Sequence, residues 1–360
     1  MTWIVAARRT AVVPVNGAFR RLLVHEMAAP VIRTCLTDAG LGPQDVDEVI
    51  LSNALGGGGN PARLAALAAG LPERVAGLSI DRQCVGGLDA ILLARALVES
   101  GAARIVVAGG AESYSRRPLR LATDPEGGPA VPYDRPAFSP FPDRDPDLHE
   151  AAWHLAQKLG LTRARMDAWA MESHAKALAG RVRLMAEIAP LLGVTADAFS
   201  RALTPALTTR APALVGDITA ANAAVAADGA AFVIVSDRPL GPNPLRIVAG
   251  LTRGADPAEP GLAPVEAIAQ ALRAADIAPS KLSMAEVMEA YAAQAMACVA
   301  DSALDAAIVN PDGGALARGH PIGASGAILA VRLFHGLAAG HGLAAIAAAG
   351  GLGTALVVAR

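Results

Sequence analysis

The chain has 360 residues, 53% of them hydrophobic, and its 31 Lys and Arg residues against 33 Asp and Glu residues give a formal net charge of −2. This apolar, nearly neutral composition excludes intrinsic disorder, which requires few apolar residues and a large net charge. It also gives no reason to expect nucleic acid or an anionic membrane surface as the main partner. Aromatic residues make up only 3% of the chain, so we expect a core of Ala, Val, Leu and Ile.

No targeting or membrane-spanning segment is predicted. The apolar run at the start of the chain is too short for a secretory signal, and its arginines follow the run instead of preceding it. The charge-free stretch 342–359 approaches transmembrane length, but a glycine-rich turn at 350–353 interrupts it and favours a strand hairpin. The cysteines Cys35, Cys84 and Cys298 are too few and too far apart for a disulfide framework. We therefore expect a cytoplasmic protein.

The predicted elements, taken in chain order, describe two similar halves. The first half is predicted to contain, in order, helix 29–39, strand 46–51, helix 88–98 and strand 105–108. The second half repeats this order with helix 265–275, strand 282–288, helix 327–337 and strand 343–349. In both halves the last strand ends in paired glycines. A repeated helix–strand order with apolar strands predicts two duplicated α/β halves with buried sheets.

A region of different composition separates the two halves. Residues 116–147 are rich in proline and charge, which predicts a long surface excursion, and helical periodicity follows over 149–160 and 163–183. Apolar runs return at residue 214. We therefore expect an N-terminal half of residues 1–115 and 214–243, an inserted loop domain of residues 116–213, and a C-terminal half of residues 244–360.

Cys84 lies at or near the N-terminus of the predicted helix 88–98 and is followed by Val85, Gly86 and Gly87. Near a helix N-terminus the macrodipole and the free N–H groups favour a thiolate, so we expect a lowered thiol pKa. The two glycines would allow a substrate to approach backbone N–H groups closely. The alternative is a structural cysteine at a strand–helix junction, since free cysteines are most often small buried hydrophobes.

His320 lies in the loop 310–326, which is rich in glycine and proline and leads into a predicted helix. A histidine held in such a loop can act as an acid–base group or as the partner of a thiolate. For a histidine alone, capping of the loop is the simpler interpretation. If the halves are duplicated, however, Cys84 and His320 occupy equivalent helix starts and would meet as a Cys–His nucleophile pair.

Spaced motifs along nearly the whole chain resemble the thiolase family. They are Ile4–Arg9 with Asn16–Phe19, Cys84–Leu88, Gly109–Ser115, Thr219–Ala223 with Asp228–Ala230, and Gly319–Gly326. The resemblance implies the thiolase fold, in which two duplicated α/β halves form five αβαβα layers with an inserted loop domain. It also implies acyl-CoA chemistry, with coenzyme A as part of the substrate and no separate cofactor or metal. Members of the family are usually homodimers or homotetramers.

The resemblance assigns roles to individual residues. Cys84 would be the nucleophile that takes an acyl group from a thioester, and His320 would activate its thiol and help to stabilise an enolate oxygen. The backbone N–H groups of Cys84 and Ala349 would form an oxyanion hole, which requires no particular side chain. The expected substrate contacts are Ala224, Met288, Glu289, Ala347 and Gly351.

The sequence departs from the family pattern at four places. Ala347 stands where thiolases carry a second cysteine that moves the α-proton of the second acyl-CoA, and an alanine cannot transfer a proton. Met288 replaces the Asn of an Asn-Glu-Ala-Phe motif and cannot hold the water of the enolate oxyanion hole. Ala224 replaces a Ser that contacts the pantetheine. The segment between Glu187 and Asp217 is shorter than in typical thiolases.

These departures leave three hypotheses. The first is a thiolase-like acyltransferase without the usual Claisen base. It forms acyl-Cys84 from acyl-CoA or an acyl carrier and passes the acyl group to an acceptor that needs no strong base at its α-carbon. The second is a conventional acetyl-CoA acyltransferase, or 3-ketoacyl-CoA thiolase, in which Glu289, His320 or a water moves the proton. The third is a non-catalytic acyl-binding subunit of a hetero-complex, although Cys84 and His320 argue against it. The Gly-His-Pro motif and Met288 disfavour a β-ketoacyl synthase.

Overall fold

The structure, a computed structural model, describes residues 1–360. Its strands are β1 (Thr2–Arg9), β2 (Val13–Pro14), β3 (Glu48–Ser52), β4 (Leu78–Ile80), β5 (Ile105–Glu112), β6 (Leu121–Ala122), β7 (Val131–Pro132), β8 (Ala213–Val215), β9 (Ile218–Thr219), β10 (Ala227–Ser236), β11 (Leu245–Gly254), β12 (Leu282–Val287), β13 (His341–Ala348) and β14 (Leu352–Ala359). Its helices are α1 (Val24–Ala39), α2 (Pro61–Ala68), α3 (Gly86–Glu99), α4 (Leu148–Lys158), α5 (Arg163–Ala179), α6 (Arg181–Met185), α7 (Pro205–Thr209), α8 (Ala263–Ala275), α9 (Ala292–Asp301), α10 (Ala315–Arg318) and α11 (Ile322–Gly336). None of these helices combines the length and the apolar character needed to cross a membrane.

The main sheet consists of two halves with the same topology. The N-terminal half has the strand order β1-β10-β5-β3-β4, in which the first two pairings are antiparallel and the last two parallel. The C-terminal half has the order β11-β14-β13-β12, again with two antiparallel pairings followed by a parallel one. Strands β1 and β11 pair antiparallel and join the halves. The predicted duplication is therefore visible in the order and direction of the strands.

Helices lie in three layers around the two halves of the sheet. Helices α1 and α2 cover one outer face, α8 covers the other, and α3 and α11 lie between the halves. The core around the inner helices consists almost entirely of Ala, Val, Leu and Ile, with Met284 and Met288 as the exceptions. The expected five-layered αβαβα arrangement and its small-residue core are confirmed.

The two inner helices touch backbone to backbone. A Cβ atom on Gly87 would lie 2.5 Å from the backbone nitrogen of Ala327, and one on Gly326 would lie 2.5 Å from that of Leu88. Real side chains do not approach backbone atoms this closely, so only glycine fits at both positions. The contact holds the start of α3 against the start of α11.

The region between β5 and β10 carries α4 to α7 and a short hairpin formed by β6 and β7. Strand β10 then returns to the centre of the N-terminal half of the sheet, between β1 and β5. An insertion at this point of the chain agrees with the sequence-based expectation. The bounds at 116–213 and between 243 and 244 stay predictions.

A buried ion cluster ties the insertion to both halves. Arg9 on β1 binds Glu187 at 2.8 Å and Asp197 at 2.7 Å. Arg332 on α11 also binds Glu187, and it binds Asp312 at 2.7 Å. All five side chains are 5% exposed or less. Removal of one partner would leave a buried charge unpaired, so the cluster fixes the relative positions of these segments.

Some element bounds differ from those predicted. Helix α1 begins at Val24 instead of residue 29, because the Glu26 carboxylate accepts the Leu23 N–H at 2.7 Å and closes the first turn without a Ser or Thr cap. Pro30 lies inside this helix. The helix predicted over 163–183 divides at Gly180 into α5 and α6.

Substitution of Gly326 by alanine tests the helix contact. The added methyl group must displace the backbone of α3, and overpacking of this kind costs about 1–3 kcal/mol, which exceeds the gain of about 0.5–1 kcal/mol from replacing a helical glycine. We expect a lower free energy of unfolding for Gly326→Ala in chemical denaturation. Gly254→Ala is the matched control, since a Cβ atom there meets nothing within 4 Å. Equal stability of Gly326→Ala and the wild type would contradict the contact.

Candidate functional site

Cys84 is held by a single turn that precedes α3. Residues Gln83–Val85 form a 3-10 turn, and Gln83 adopts a left-handed backbone with φ of 51°. The Asp81 carboxylate stabilises this turn by accepting the Gln83 N–H at 2.9 Å. Cys84 is half-buried and faces a cavity. The turn therefore directs the thiol away from the helix axis and toward open space.

His320 occupies the equivalent place before α11. Its N–H donates to the Val225 carbonyl at 2.8 Å, and its Nδ1 lies 2.7 Å from Ser325 Oγ. The Ser325 hydroxyl donates its one hydrogen to the Pro321 carbonyl at 3.0 Å, so the hydrogen between Ser325 and the ring belongs to Nδ1. Nε2 is therefore the unprotonated nitrogen of the imidazole.

The structure brings Cys84 and His320 into direct contact. Cys84 Sγ lies 3.2 Å from His320 Nε2, although the residues are 236 positions apart. Since Nε2 carries no hydrogen, the thiol donates to it. This is the arrangement of a cysteine nucleophile and its general base.

Burial keeps both members of the pair uncharged. Burial raises the pKa of the Cys84 thiol to about 12, with a smaller contribution from Glu112, and the bond to backbone N–H only partly opposes this rise. Burial also lowers the pKa of His320 to about 4, with a further lowering by Arg318. The expectation of a thiol pKa lowered by the helix N-terminus is wrong, because removal from water outweighs the helix dipole. The thiolate must form as the thiol proton moves to Nε2.

Glu112 fixes the loops around this pair and was not singled out from the sequence. Its fully buried carboxylate accepts the N–H groups of Ala54 at 3.0 Å, Leu55 at 3.2 Å and Gly323 at 3.0 Å. Burial raises its pKa to about 7. Its position in the Gly-Gly-Ala-Glu run at the end of β5 was the only available signal. Glu112 is a positioning residue, since it anchors the first turn of α11 next to His320.

The pair lies on the wall of a cavity of about 500 Å³, lined by 27 residues of which 16 are hydrophobic. Five of the predicted site residues line this cavity, namely Cys84, His320, Ala224, Ala347 and Ala349. The Ala349 N–H makes no hydrogen bond within the chain and is available to a ligand. A pocket of this size with an apolar wall and few polar groups is typical of a small-molecule site.

Glu289 does not reach the cavity. Its side chain is 2% exposed, and its carboxylate accepts hydrogen bonds from Trp169 Nε1 at 3.0 Å and Ser173 Oγ at 2.7 Å. It also accepts from Asn310 Nδ2 at 3.0 Å and from the Leu316 N–H at 3.3 Å. By accepting four hydrogen bonds, the Glu289 carboxylate connects the insertion to the C-terminal half and has a structural role. It is not placed for the substrate contact or the base role expected of it.

Met288 and Gly351 also lie outside the cavity wall. Met288 is 1% exposed and belongs to the core around the inner helices. Gly351 lies in the turn between β13 and β14 with φ of 74°, and its carbonyl accepts the Ala255 N–H at 2.7 Å. The structure therefore does not bring these two predicted contacts to the cavity.

The cavity contains further polar side chains that the sequence reasoning did not select. His149 comes from α4, while Tyr114 follows β5 and Tyr291 precedes α9. Tyr114 belongs to the Gly109–Ser115 motif and Tyr291 ends the stretch compared with Asn-Glu-Ala-Phe. Neither pattern predicts that these side chains meet His149, so only the fold places the three together. The chain has no group of three or more His, Cys, Asp and Glu side chains able to hold a metal ion.

Comparisons with known proteins agree with this geometry. The family described as "Thiolase, N-terminal domain" matches residues 2–238, and "Thiolase, C-terminal domain" matches residues 243–360. An acetyl-CoA acetyltransferase of Pseudomonas aeruginosa is 40% identical, with 99% of this chain and 98% of that protein covered. A putative acetyl-CoA C-acetyltransferase of Bacillus subtilis, YhfS, is 38% identical over 98% of both chains. The crystal structure of the Bacillus anthracis acetyl-CoA acetyltransferase has a TM-score of 0.92 and 31% identity, and covers 99% of this chain and 98% of its own.

Alkylation of Cys84 at different pH values tests the uncharged pair. With a thiol pKa near 12, the thiolate fraction grows about tenfold for each unit of pH and does not level off below pH 10. We expect the rate of iodoacetamide labelling at Cys84, followed on its peptide by mass spectrometry, to keep rising between about pH 7 and pH 10. Cys84→Ser removes the labelled peptide and serves as the control. A plateau already at pH 7 would instead reveal a resting thiolate–imidazolium pair.

Proposed function

Since the chain belongs to the thiolase family and is a thiolase-type acyltransferase, we propose that it is a conventional acetyl-CoA C-acyltransferase that carries the acyl group on Cys84. The observation that carries the proposal is the 3.2 Å contact between Cys84 Sγ and His320 Nε2 on the wall of the acyl-sized cavity. The relatives' names favour this proposal over an acyltransferase that lacks carbon–carbon chemistry.

The first half of the reaction follows from the contacts of the pair. His320 Nε2 takes the thiol proton as Cys84 Sγ attacks the thioester carbonyl carbon. The carbonyl oxygen gains negative charge, which the Ala349 N–H can stabilise together with the N–H of Cys84. The carbon–sulfur bond to coenzyme A then breaks, and the leaving thiolate takes the proton from His320. The imidazole returns to its neutral form, and the acyl group remains on Cys84.

Coenzyme A would act as part of the substrate, without a separate cofactor. The mostly hydrophobic wall of the cavity suits an acyl chain and the pantetheine arm, and Arg120 and Arg135 also line the cavity. An acyl carrier protein is the alternative donor.

We also propose a homo-oligomer, a homodimer or homotetramer, because Leu119, Leu121 and Val131 around the β6–β7 hairpin are 93%, 59% and 61% exposed.

The second half of the reaction is where this chain diverges from the family pattern. Ala347 lines the cavity and has no group that can move a proton. Glu289 already accepts four hydrogen bonds away from the cavity. In the proposed reaction, a group other than these two side chains must therefore move the α-proton of the acceptor. The second candidate function, transfer to an acceptor that needs no α-deprotonation, is favoured by the alanine at position 347.

Isolation of the acyl-enzyme tests the proposed nucleophile. We expect incubation with acetyl-CoA to add one acetyl group to the Cys84 peptide, detected as a mass shift that hydroxylamine removes. His320→Ala should slow acylation by about 10²–10⁴-fold, the usual contribution of a general base. Cys298→Ser controls for other thiols, since Cys298 is fully buried and hydrogen-bonded to the Gly261 carbonyl. Absence of the acetyl group from the Cys84 peptide of a folded wild-type protein would contradict the proposal.

Ala347→Cys tests the divergence at the acceptor step. Position 347 lines the cavity, so a thiol there can face the acceptor in the way that the family's second cysteine does. If the wild-type chain lacks an efficient base, the variant should condense acetyl-CoA or cleave acetoacetyl-CoA faster, with Cys84 acylation unchanged. Ala347→Ser, which adds a group of similar size and weak acidity, is the matched control. No gain from the cysteine would show that the wild-type base is already effective.

A further inference from the structure

A second polar pair lies on the wall of the cavity that contains Cys84. The Tyr291 hydroxyl and His149 Nδ1 are 2.9 Å apart, and their rings meet edge to face with centroids 5.6 Å apart at 88°. Both residues line the cavity. They are separated by 142 positions in the sequence, since Tyr291 belongs to the C-terminal half and His149 to the insertion.

The backbone on each side of the pair is held in place. Tyr291 forms an isolated bridge with Ala223, flanked by hydrogen bonds of 2.9 Å from the Ala224 N–H to the Ala290 carbonyl and from the Ala292 N–H to the Asn222 carbonyl. His149 lies in the first turn of α4, where Asp147 caps the helix by accepting the His149 N–H at 2.8 Å. The pair is therefore fixed by main-chain contacts and does not depend on two mobile surface side chains.

Tyr291 and Cys84 line the same cavity. Burial raises the pKa of Tyr291, and the nearby carboxylate of Asp147 adds to the rise. The phenol is therefore neutral and carries its hydrogen. A neutral phenol beside an imidazole can relay a proton. The phenol oxygen accepts a proton from the substrate while its own hydrogen moves to the imidazole, so no phenolate accumulates.

We propose, on the basis of the acyl-Cys84 reaction above, that Tyr291 and His149 act as one unit that moves the α-proton of the acceptor acyl-CoA. The acceptor's Cα–H bond breaks, and its proton goes to the Tyr291 oxygen while the tyrosine's own proton passes to His149 Nδ1. The electron pair left on Cα forms the new carbon–carbon bond to the acyl carbon. The bond from that carbon to Cys84 Sγ breaks, and the proton held by His149 restores the Cys84 thiol.

This role suits the chemistry that the cavity otherwise lacks. Ala347 has no proton-carrying group, and Met288 is buried in the core. His320 Nδ1 is bound to Ser325, and its Nε2 faces the sulfur of Cys84, which carries the acyl group at this step. Tyr291 and His149 therefore form a hydrogen-bonded acid–base pair in the cavity that the acylation step does not use.

Tyr291→Phe and His149→Asn test the pair, because the first removes only the hydroxyl and the second keeps a hydrogen-bonding side chain that cannot take a proton. Three quantities are measured on the full chain: acetylation of Cys84, incorporation of deuterium from D2O at the α-carbon of acetyl-CoA, and the rate of condensation. We expect acetylation within about twofold of the wild type, and deuterium incorporation and condensation lowered by about 10²–10⁴-fold. The double variant should be no slower than the single ones, as expected of residues that act as a unit.

Two substitutions outside the cavity are matched controls. His154→Asn makes the same change on the exposed side of α4, and Tyr133→Phe removes the hydroxyl of an exposed tyrosine. Both should leave all three quantities within about twofold of the wild type.

Each other outcome contradicts the pair's role or the function on which it rests. Deuterium incorporation at the wild-type rate in Tyr291→Phe and His149→Asn would assign the α-proton to His320 and overturn the proposal. An equal fall in acetylation and deuterium incorporation would show a purely structural contact and also overturn it. A wild-type protein that becomes acetylated but exchanges no α-deuterium would overturn the pair's role and leave the second candidate function, transfer to an acceptor that needs no α-deprotonation. A wild-type protein that is never acetylated would overturn the proposed function itself.

Discussion

The backbone contact between α3 and α11 is the constraint on which the site depends. Each helix begins two positions after a residue of the reactive pair, so the separation of the helices sets the separation of Cys84 and His320. Gly87 and Gly326 permit an approach that any Cβ atom would prevent. Glu112 adds a second restraint, because it binds the first turn of α11 to the loop that follows β3. A core of small aliphatic residues is the composition that such close layers require.

Burial of the reactive pair determines how it reacts. Removal from water disfavours both the thiolate and the imidazolium, so the resting state is a neutral thiol hydrogen-bonded to a neutral imidazole. The two charges appear only when a substrate is present and its carbonyl oxygen can receive negative charge near the Ala349 N–H. At neutral pH the cysteine therefore reacts more slowly with small electrophiles than a resting thiolate would, and its activation is coupled to the binding of a thioester.

Much of this arrangement could be predicted from the sequence, because it is recorded in local patterns. The repeated helix–strand order predicted the duplicated sheet, and the motifs at the two helix starts predicted that Cys84 and His320 would meet. The sign of the thiol pKa shift was not predictable, since it depends on how much water the folded chain excludes. Glu289 was misjudged for a similar reason, as its hydrogen-bond partners Trp169 and Ser173 come from a distant segment. The pair of Tyr291 and His149 exists only because the insertion folds back over the C-terminal half.

The two halves of the proposed reaction consequently depend on different parts of the fold. The reacting groups of acyl transfer to Cys84 belong to the duplicated halves, because both members of the pair and the Ala349 N–H lie at helix starts and a strand end within them. The acceptor step relies on the insertion, since α4 supplies His149 and Asp147 to the cavity wall. In the proposed reaction, the alanine at position 347 supplies no proton-carrying side chain to the duplicated framework, and it leaves the inner helices that position the nucleophile in place. The acceptor chemistry of this fold can therefore change through the insertion while the geometry of the nucleophile is preserved.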